Sequence, residues 1–321
     1  MSKTNGIQIY LGSIAIGDQK DPLCHFNTPE AAREYTNLFH TRGYDRIDTA
    51  RIYPTEAPGT TEQILGQIDA ATDFVIDSKI LSFFSGAHKA GNIQKSVDES
   101  LATLKTSKVN VMYLHSPDRD TPFEESCEAM NKAYEAGKFK YFGISNYTAG
   151  EVEQIMNICT SHGWVTPVVY QGHYNALIRS TEQLITVLRK HRIQFVAYSP
   201  AAGGFFSGLE YGRPGSRFRT ETVVGQFYCN AYGKDGLKER AAMVVAKAEA
   251  EGMTGHAAAL RWIIHHSQLQ EGDGVVLGAS TLAQLTNSID AVEAGPLPQS
   301  LVEMFDELWE TVKGSMDPYH H

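Results

Sequence analysis

The sequence predicts an α/β protein, a (β/α)8 TIM barrel, and three observations support this prediction. Short apolar runs alternate with longer amphipathic segments along the chain, which is typical of βαβ units and a parallel sheet. About eight such runs occur, and eight units of roughly 30 residues fit a closed barrel better than a two-domain doubly wound sheet. No linker rich in Pro, Ser or charge interrupts the 321 residues. We therefore expect residues 1–321 to form a single barrel domain.

The strand candidates are short runs dominated by hydrophobic residues. In chain order they are Ile7–Leu11, Arg46–Asp48, Val75–Ile80, Val109–His115, Lys138–Ser145, Pro167–Gln171, Gln194–Ser199 and Gly274–Gly278. The helix candidates carry apolar residues at helical spacing. They are Asn92–Leu104, Phe123–Tyr134, Glu151–Cys159, a segment near Gln183–Lys190, Glu239–Ala250 and Leu282–Val292. A C-terminal helix completes the predicted order.

One segment, Ala201–Leu237, interrupts this alternation because it is rich in glycine and has no sustained period. A loop of this length in a compact domain is usually functional, and its glycines permit close approach of a ligand. The alternative is a disordered insertion. We expect a long loop after the seventh strand.

Composition and charge argue against several classes of protein. The net charge of −9 makes the chain a poor partner for nucleic acid. The first residues lack the apolar stretch of a secretory signal, and no window approaches the roughly 18 apolar residues of a membrane span. The four cysteines are widely spaced, which indicates reduced thiols and a cytoplasmic location.

A polar residue stands at or just after the end of each predicted strand from the second to the seventh. In a barrel of this type the carboxyl ends of the strands form the active site, so these side chains are expected to converge. They are Asp48, followed by Tyr53 after a short turn, then Lys79, His115, Ser145 with Asn146, Gln171, and Tyr198 with Ser199.

Four of these residues together suggest proton donation to a carbonyl oxygen. A phenol has a pKa of about 10, and a neighbouring ammonium favours the phenolate and lowers that pKa. Lys79 could supply the ammonium to Tyr53, and Asp48 could hold that ammonium charged and oriented. His115 could donate a hydrogen bond to the substrate oxygen. Taken singly, each residue has a commoner structural explanation as a cap, a packing residue or a solvated charge; their joint occurrence favours catalysis.

Seven segments give the chain a resemblance to a known family. They are RIDTARIYP, IDSKI, YLHSPD, FGISNY, VYQGHYNA, VAYSPAAGG and VLGASTLAQLTNSIDAVEAGPL. From about Ile7 to about Asp317 the chain resembles the aldo-keto reductases, and YQGHYNA and ALRWIIHHSQLQ resemble their aflatoxin-aldehyde reductase branch. The resemblance implies NADPH-dependent reduction of an aldehyde or ketone. It also implies that Tyr53 is the general acid, that Asp48 and Lys79 are its partners, and that His115 orients the carbonyl.

The resemblance further implies a set of NADPH-binding residues. Ser145, Asn146 and Gln171 match residues that hold the nicotinamide carboxamide, and Tyr198 matches the aromatic that stacks on the ring. The residues along the pyrophosphate are Ser199, Pro200, Ala201, Gly203, Gly204 and Gly208, and those at the adenosine 2′-phosphate and adenine are Ser280, Thr281, Gln284 and Ser288. The branch usually has Asn where Ser199 and Ser288 stand.

Two observations bear on the phosphates. Arg217, in a segment resembling the branch's GRF element, is expected to contact a cofactor phosphate, and Arg213 and Arg219 lie in the same loop. A solvated basic loop is the alternative. Ser280 and Thr281 precede a predicted helix whose free N–H groups could hold an anion, although a simple N-cap is the alternative. No GxGxxG follows a strand, so a Rossmann cofactor site is unsupported.

The remaining expectations concern rivals and partners. An NADPH-binding regulatory barrel with little turnover is the alternative function, whereas an isomerase or hydrolase would leave the Tyr and Lys pairing unexplained. We expect no metal, because adjacent His265 and His266 would point in different directions. The expected partners are a small-molecule carbonyl substrate, no nucleic acid, no membrane and, since the branch includes dimers, a second copy of the chain. Candidate substrate-wall residues, with core packing as the alternative, are Phe83, Phe84, Phe227 and Tyr228.

Overall fold

The computed structural model describes residues 4–208 and 216–320. Eight strands close into a barrel in which each strand is hydrogen-bonded to the next one in sequence. They are β1 Gln8–Gly12, β2 Arg46–Asp48, β3 Val75–Lys79, β4 Val109–Leu114, β5 Phe139–Ser145, β6 Pro167–His173, β7 Gln194–Tyr198 and β8 Gly274–Leu277. The predicted (β/α)8 barrel is confirmed, and every strand end lies within about two residues of its predicted position.

Helices alternate with these strands. They are α1 Pro29–Thr41, α2 Thr60–Gln67, α3 Ala90–Thr103, α4 Phe123–Glu135, α5 Ala149–His162, α6 Thr181–Lys190, α7 Val223–Tyr232, α8 Leu237–Ala250, α9 Gly255–His265, α10 Leu282–Glu293 and α11 Gln299–Val312. Several begin at a side-chain cap, such as Thr148 of α5, which forms a capping box with Glu151. The predicted C-terminal helix is α11, whereas α1 and α2 were absent from the predicted order.

The segment predicted to be a long loop after β7 is partly helical. A 3₁₀ helix that is kinked at Gly203 and Gly204 covers Ala202–Ser207, and α7 follows further along the segment. The side chain of Thr222 caps α7 by accepting a hydrogen bond from Gly225 N at 3.0 Å, and Tyr228 and Tyr232 of this helix are buried. Burial of these aromatic side chains stabilises a helix too short to show a clear periodicity. Residues 209–215, including the predicted phosphate-loop residue Arg213, lie outside the described residues.

Two compact units make up the described chain. The first consists of Met1–Ile9, His173–Glu182 and Ala197–Tyr319, and its largest fully buried side chains include Trp262, Tyr174 and Tyr232. The second consists of Tyr10–Gly172, Gln183–Val196 and His320–His321, and its buried aromatics include Tyr35, Tyr113 and Tyr170. That residues 1–321 form a single domain stays a prediction.

The ladder between β2 and β3 continues beyond the end of β2. Asp48 pairs in register with Asp77, Thr49 N donates to Asp77 O at 2.9 Å, and Arg51 N donates to Lys79 O at 2.9 Å. These bonds hold the chain that leads to Tyr53 against the carboxyl end of β3. Across residues 4–208 and 216–320, the helices are too short or too polar for any of them to cross a membrane.

Candidate active site

Lys79 and Asp48 form a buried ion pair at the ends of β3 and β2. Lys79 Nζ donates to the two carboxylate oxygens of Asp48 at 2.7 and 2.8 Å and to Thr49 O at 2.7 Å. The side chain of Lys79 is fully buried. An ammonium has three donors, and all three are used here, so its position is fixed by three acceptors. A buried charge needs this kind of pairing because burial removes its hydration.

Tyr53 and His115 complete a four-residue cluster with this pair. Lys79 Nζ lies 5.0 Å from the centroid of the Tyr53 ring. The rings of Tyr53 and His115 meet edge to face, with centroids 5.6 Å apart and an interplanar angle of 79°. All four residues belong to the second unit. The structure therefore brings together the four side chains that the sequence predicts to be catalytic, and their roles stay predictions.

The environment of His115 keeps its imidazole neutral. Burial, and then the charge of Lys79, hold the pKa of His115 well below its usual range. A neutral imidazole has one N–H donor and one acceptor nitrogen. Nδ1 of His115 is buried and has no hydrogen-bond partner among the described residues. Buried polar atoms are nearly always paired, and Nδ1 of His115 is one of several exceptions among the described residues, which also include Thr49 Oγ1 and Asp77 Oδ2.

Three further predicted residues adjoin the cluster. Asn146 Nδ2 donates to His115 O at 2.9 Å and to Ser145 Oγ at 3.1 Å. Gln171 Nε2 donates to Asp48 Oδ1 at 2.7 Å. Asn146 has a φ of +66°, a left-handed conformation that asparagine tolerates better than most residues. The amides of Asn146 and Gln171 thus contact the cluster directly, whereas their predicted role in holding a carboxamide is untested.

Phe83 lies next to this cluster on the segment that follows β3. Its ring centroid is 4.9 Å from that of His115, and the residue is 55% exposed despite its apolar side chain. Its neighbour Phe84 is 48% exposed. Core packing, the alternative considered for both residues, therefore does not apply to them. Phe83 remains a candidate wall for the apolar part of a substrate.

The first unit contains a network of predicted cofactor residues. Ser199 Oγ and Tyr228 Oη are 2.5 Å apart, and Arg217 Nη1 donates to Tyr228 Oη at 3.4 Å. A Cβ atom on Gly278, just after β8, would lie 2.9 Å from Arg217 Nη2. Glycine at this position therefore leaves room for the guanidinium. The Tyr228 hydroxyl thus joins Ser199 to Arg217. The sequence does not predict this role, because nothing in it distinguishes Tyr228 from the other aromatic residues of its segment.

The N-terminus of α10 holds the residues predicted to bind the adenosine end. Thr281 caps the helix by accepting from Gln284 N at 3.1 Å, and both the backbone N and the Oγ of Ser280 donate to Gln284 Oε1 at 2.9 Å. Ser288 is buried, and its Oγ lies 3.1 Å from His256 Nε2. The N-cap considered as an alternative is therefore present, and it is compatible with an anion site.

The remaining predicted residues lie on or beside the 3₁₀ helix and the preceding strand end. Tyr198 stacks on His173 at 5.0 Å with an interplanar angle of 16°. Gly203 has a φ of +66°, and a Cβ there would lie 2.6 Å from the Tyr228 ring, so this position requires glycine. Arg219 forms an ion pair with Glu221. The predicted residues in this stretch are Pro200, Ala201, Gly203, Gly204 and Gly208.

The two adjacent histidines at the end of α9, His265 and the C-cap residue His266, are used in hydrogen bonds with the protein. His265 Nε2 lies 2.6 Å from Ala294 O, and Leu297 N donates to His266 Nε2 at 2.9 Å. No group of three or more His, Cys, Asp or Glu side chains suited to a metal ion occurs within residues 4–208 and 216–320.

Comparison with known proteins agrees with this arrangement. A sequence model described as the Aldo/keto reductase family matches residues 8–310. An aldo-keto reductase from Pseudocercospora fijiensis is 39% identical over 86% of this chain and 97% of its own length. Human aldo-keto reductase family 7 member A3 is 37% identical over 94% and 93% of the two chains, and human aflatoxin B1 aldehyde reductase member 4 is 36% identical over 93% and 92%.

These matches span nearly the whole chain and confirm the resemblance drawn from the sequence motifs. Oxidoreduction of carbonyl compounds is the chemistry that the family supports. The chain belongs to the Aldo/keto reductase family.

Proposed function

We propose that this protein is an NADPH-dependent reductase that converts an aldehyde or ketone to an alcohol, with Tyr53 as the proton donor. The observation that carries the proposal is the buried Lys79 ammonium, which Asp48 holds 5.0 Å from the centroid of the Tyr53 ring. Neutral His115 lies at the edge of the same ring.

Each residue of the cluster has a distinct part in moving the proton. The Lys79 charge favours negative charge on the Tyr53 oxygen, so the phenol proton can pass to a developing alkoxide. Asp48 and Thr49 O keep the ammonium in place, because their three hydrogen bonds leave it no other geometry. The neutral His115 imidazole provides an N–H that orients the substrate oxygen beside Tyr53.

The residues of the first unit fit a phosphorylated dinucleotide. Arg217 supplies a fixed positive charge next to Gly278, and Ser280 and Thr281 open the helix α10. A cation and a helix N-terminus are the donors that a phosphate monoester prefers, which favours NADPH over NADH. Bound NADPH would supply the hydride.

The proposal also includes the expected substrate class, cellular location and partners. The exposed Phe83 and Phe84 support a small carbonyl substrate with an apolar substituent. The cytoplasmic location, the second copy of the chain and the absence of nucleic-acid partners stay predictions.

Tyr53→Phe tests the proposal, with Tyr134→Phe as a matched control at an exposed tyrosine. Consumption of NADPH with a nitrobenzaldehyde is followed by absorbance, and binding of NADPH by fluorescence titration. We expect Tyr53→Phe to lower kcat by about 10²- to 10⁴-fold without weakening NADPH binding, since it removes only the transferred proton. Near-normal turnover in Tyr53→Phe would show that the acid is misassigned. Tight binding of NADPH by the wild type without turnover would favour the regulatory alternative.

A further inference from the structure

Another buried carboxylate, that of Glu62, lies in the first turn of α2. Its side chain is fully buried. Oε1 accepts from Ser78 Oγ at 2.7 Å, and Oε2 accepts from Ser100 Oγ at 3.1 Å and from Arg51 Nη1 at 3.2 Å. Burial raises the pKa of Glu62, and these donors oppose that shift by stabilising the carboxylate. Glu62 therefore connects three elements: β3 through Ser78, α3 through Ser100 and the segment after β2 through Arg51.

Arg51 links this carboxylate to the segment that carries Tyr53. It stands two residues before Tyr53, and its side chain also donates from Nε to Glu99 Oε2 at 3.4 Å. A Cβ on Gly59, which has a φ of +84°, would lie 2.5 Å from Arg51 Nη1. The segment between residues 51 and 59 thus folds around the guanidinium and leaves no space for a larger residue at position 59.

Backbone hydrogen bonds connect the chain around Tyr53 to β3 and to the start of α2. Arg51 N donates to Lys79 O at 2.9 Å, and Tyr53 O accepts from Gly59 N at 3.0 Å and from Thr61 N at 3.3 Å. Thr61 immediately precedes Glu62, and Ser78 immediately precedes Lys79. The Glu62 carboxylate therefore joins the start of α2, which holds Tyr53, to the end of β3, which holds Lys79.

We propose that Arg51 and Glu62 are positioning residues for the reduction, which together set the approach of the Tyr53 ring to the Lys79 ammonium. This inference rests on the proposed function. Neither side chain needs to touch the substrate. Their effect is geometric: without the guanidinium, the segment from 51 to 59 loses its side-chain bonds to Glu62 and Glu99, and backbone hydrogen bonds alone hold the Tyr53 ring near Lys79. A misplacement of about 1 Å in an active site can cost about 100-fold in rate.

The test compares Arg51→Met, Arg51→Met combined with Glu62→Gln, and the control Arg179→Met. Arg179 is a matched control because it is also a largely buried arginine, which pairs with Asp306 at 2.7 Å and packs on Trp262. The double variant is included because it leaves no unpaired buried carboxylate, so it is expected to keep its fold if the single variant does not.

We expect kcat to fall by about 10- to 100-fold in both Arg51 variants, while KM for NADPH stays within about twofold. Slower proton transfer from a displaced Tyr53 also raises the solvent deuterium isotope effect on kcat. Loss of stability alone would lower the fraction of folded enzyme without changing the isotope effect, and Arg179→Met is expected to behave in that way. Arg51→Lys is expected to recover part of the lost kcat, since it restores the charge but not the fork of donors.

A second measurement does not need turnover. In protein labelled with ¹³C-tyrosine, the Tyr53 signal is assigned by its loss in Tyr53→Phe, and it is expected to shift in both Arg51 variants but not in Arg179→Met. Folded Arg51 variants with wild-type kcat and an unshifted Tyr53 signal would overturn the inference. If the wild type itself reduces no carbonyl, the proposed function fails, and the Tyr53 signal alone decides whether Arg51 and Glu62 position this ring.

Discussion

Replacing Lys79 by methionine removes the charge on which the proposed chemistry depends. Nζ makes three hydrogen bonds of 2.7–2.8 Å inside a fully buried environment. Hydrogen bonds to charged groups contribute about 1.5–3 kcal/mol each, although the cost of burying the ammonium offsets much of that gain. After the substitution, the Asp48 carboxylate stays buried, with the Gln171 amide as its remaining side-chain donor among the described residues.

Removing one partner of a buried ion pair costs about 3–5 kcal/mol, because it leaves an uncompensated charge. A protein is typically stable by about 5–15 kcal/mol, so we expect Lys79→Met to lose a large part of its free energy of unfolding. Combining Lys79→Met with Asp48→Asn removes both charges, and it is expected to recover most of that loss.

Urea unfolding followed by circular dichroism measures these free energies for the wild type, the two single variants and the double variant. The four values form a double-mutant cycle, which isolates the coupling between the two side chains. A Lys79→Met protein within about 1 kcal/mol of the wild type, or a double variant whose loss equals the sum of the single losses, would contradict the reasoning. Turnover is a separate readout: all three variants are expected to lose it.

Two further predictions concern a histidine and the arginine of the first unit. Burial lowers the pKa of His88 from 6.5 to about 4, so its stabilising contribution is fully present above pH 6.5 and is lost as the pH falls toward 4. Relative to His88→Gln, the wild type is expected to lose up to ~3 kcal/mol of unfolding free energy over that range. Urea unfolding at several pH values measures this free energy, and an equal dependence on pH in the two proteins would refute the prediction. Arg217→Met is expected to weaken NADPH binding by about 10-fold or more with little effect on NADH, as measured by fluorescence titration, because it removes one charge-assisted contact to a phosphate. An unchanged ratio of the two dissociation constants would exclude Arg217 from the phosphate site.

The strands and the cluster of Asp48, Tyr53, Lys79 and His115 were predictable because their determinants are local. Each buried strand is a short apolar run, and the polar residue that ends it, such as Asp48 or Lys79, marks the point where the chain leaves the barrel interior. Parallel strands place all their carboxyl ends at one end of the barrel. The polar side chains that end the strands are therefore expected to lie close together before any contact between them is known. The ion pair between Lys79 and Asp48 follows in turn, since an isolated charge could not be buried there.

Other features depend on contacts between distant parts of the chain. Helix α7 is stabilised by aromatic packing of Tyr232 on His173 and Phe218, which a local sequence pattern does not reveal. Glu62 resembles any acidic residue in the first turn of a helix, and its burial becomes apparent only when β3 and α3 contribute Ser78 and Ser100. The one sequence feature that pointed to this arrangement was Gly59, because a glycine at the start of a helix leaves space for a neighbouring side chain, here that of Arg51.

Ser199 adopts a φ of +55°, a left-handed conformation that costs a non-glycine residue about 1–2 kcal/mol. Glycine would relieve that cost but would also delete the hydroxyl 2.5 Å from Tyr228 Oη. Relief of backbone strain and retention of the Ser199–Tyr228 contact thus favour different residues at position 199.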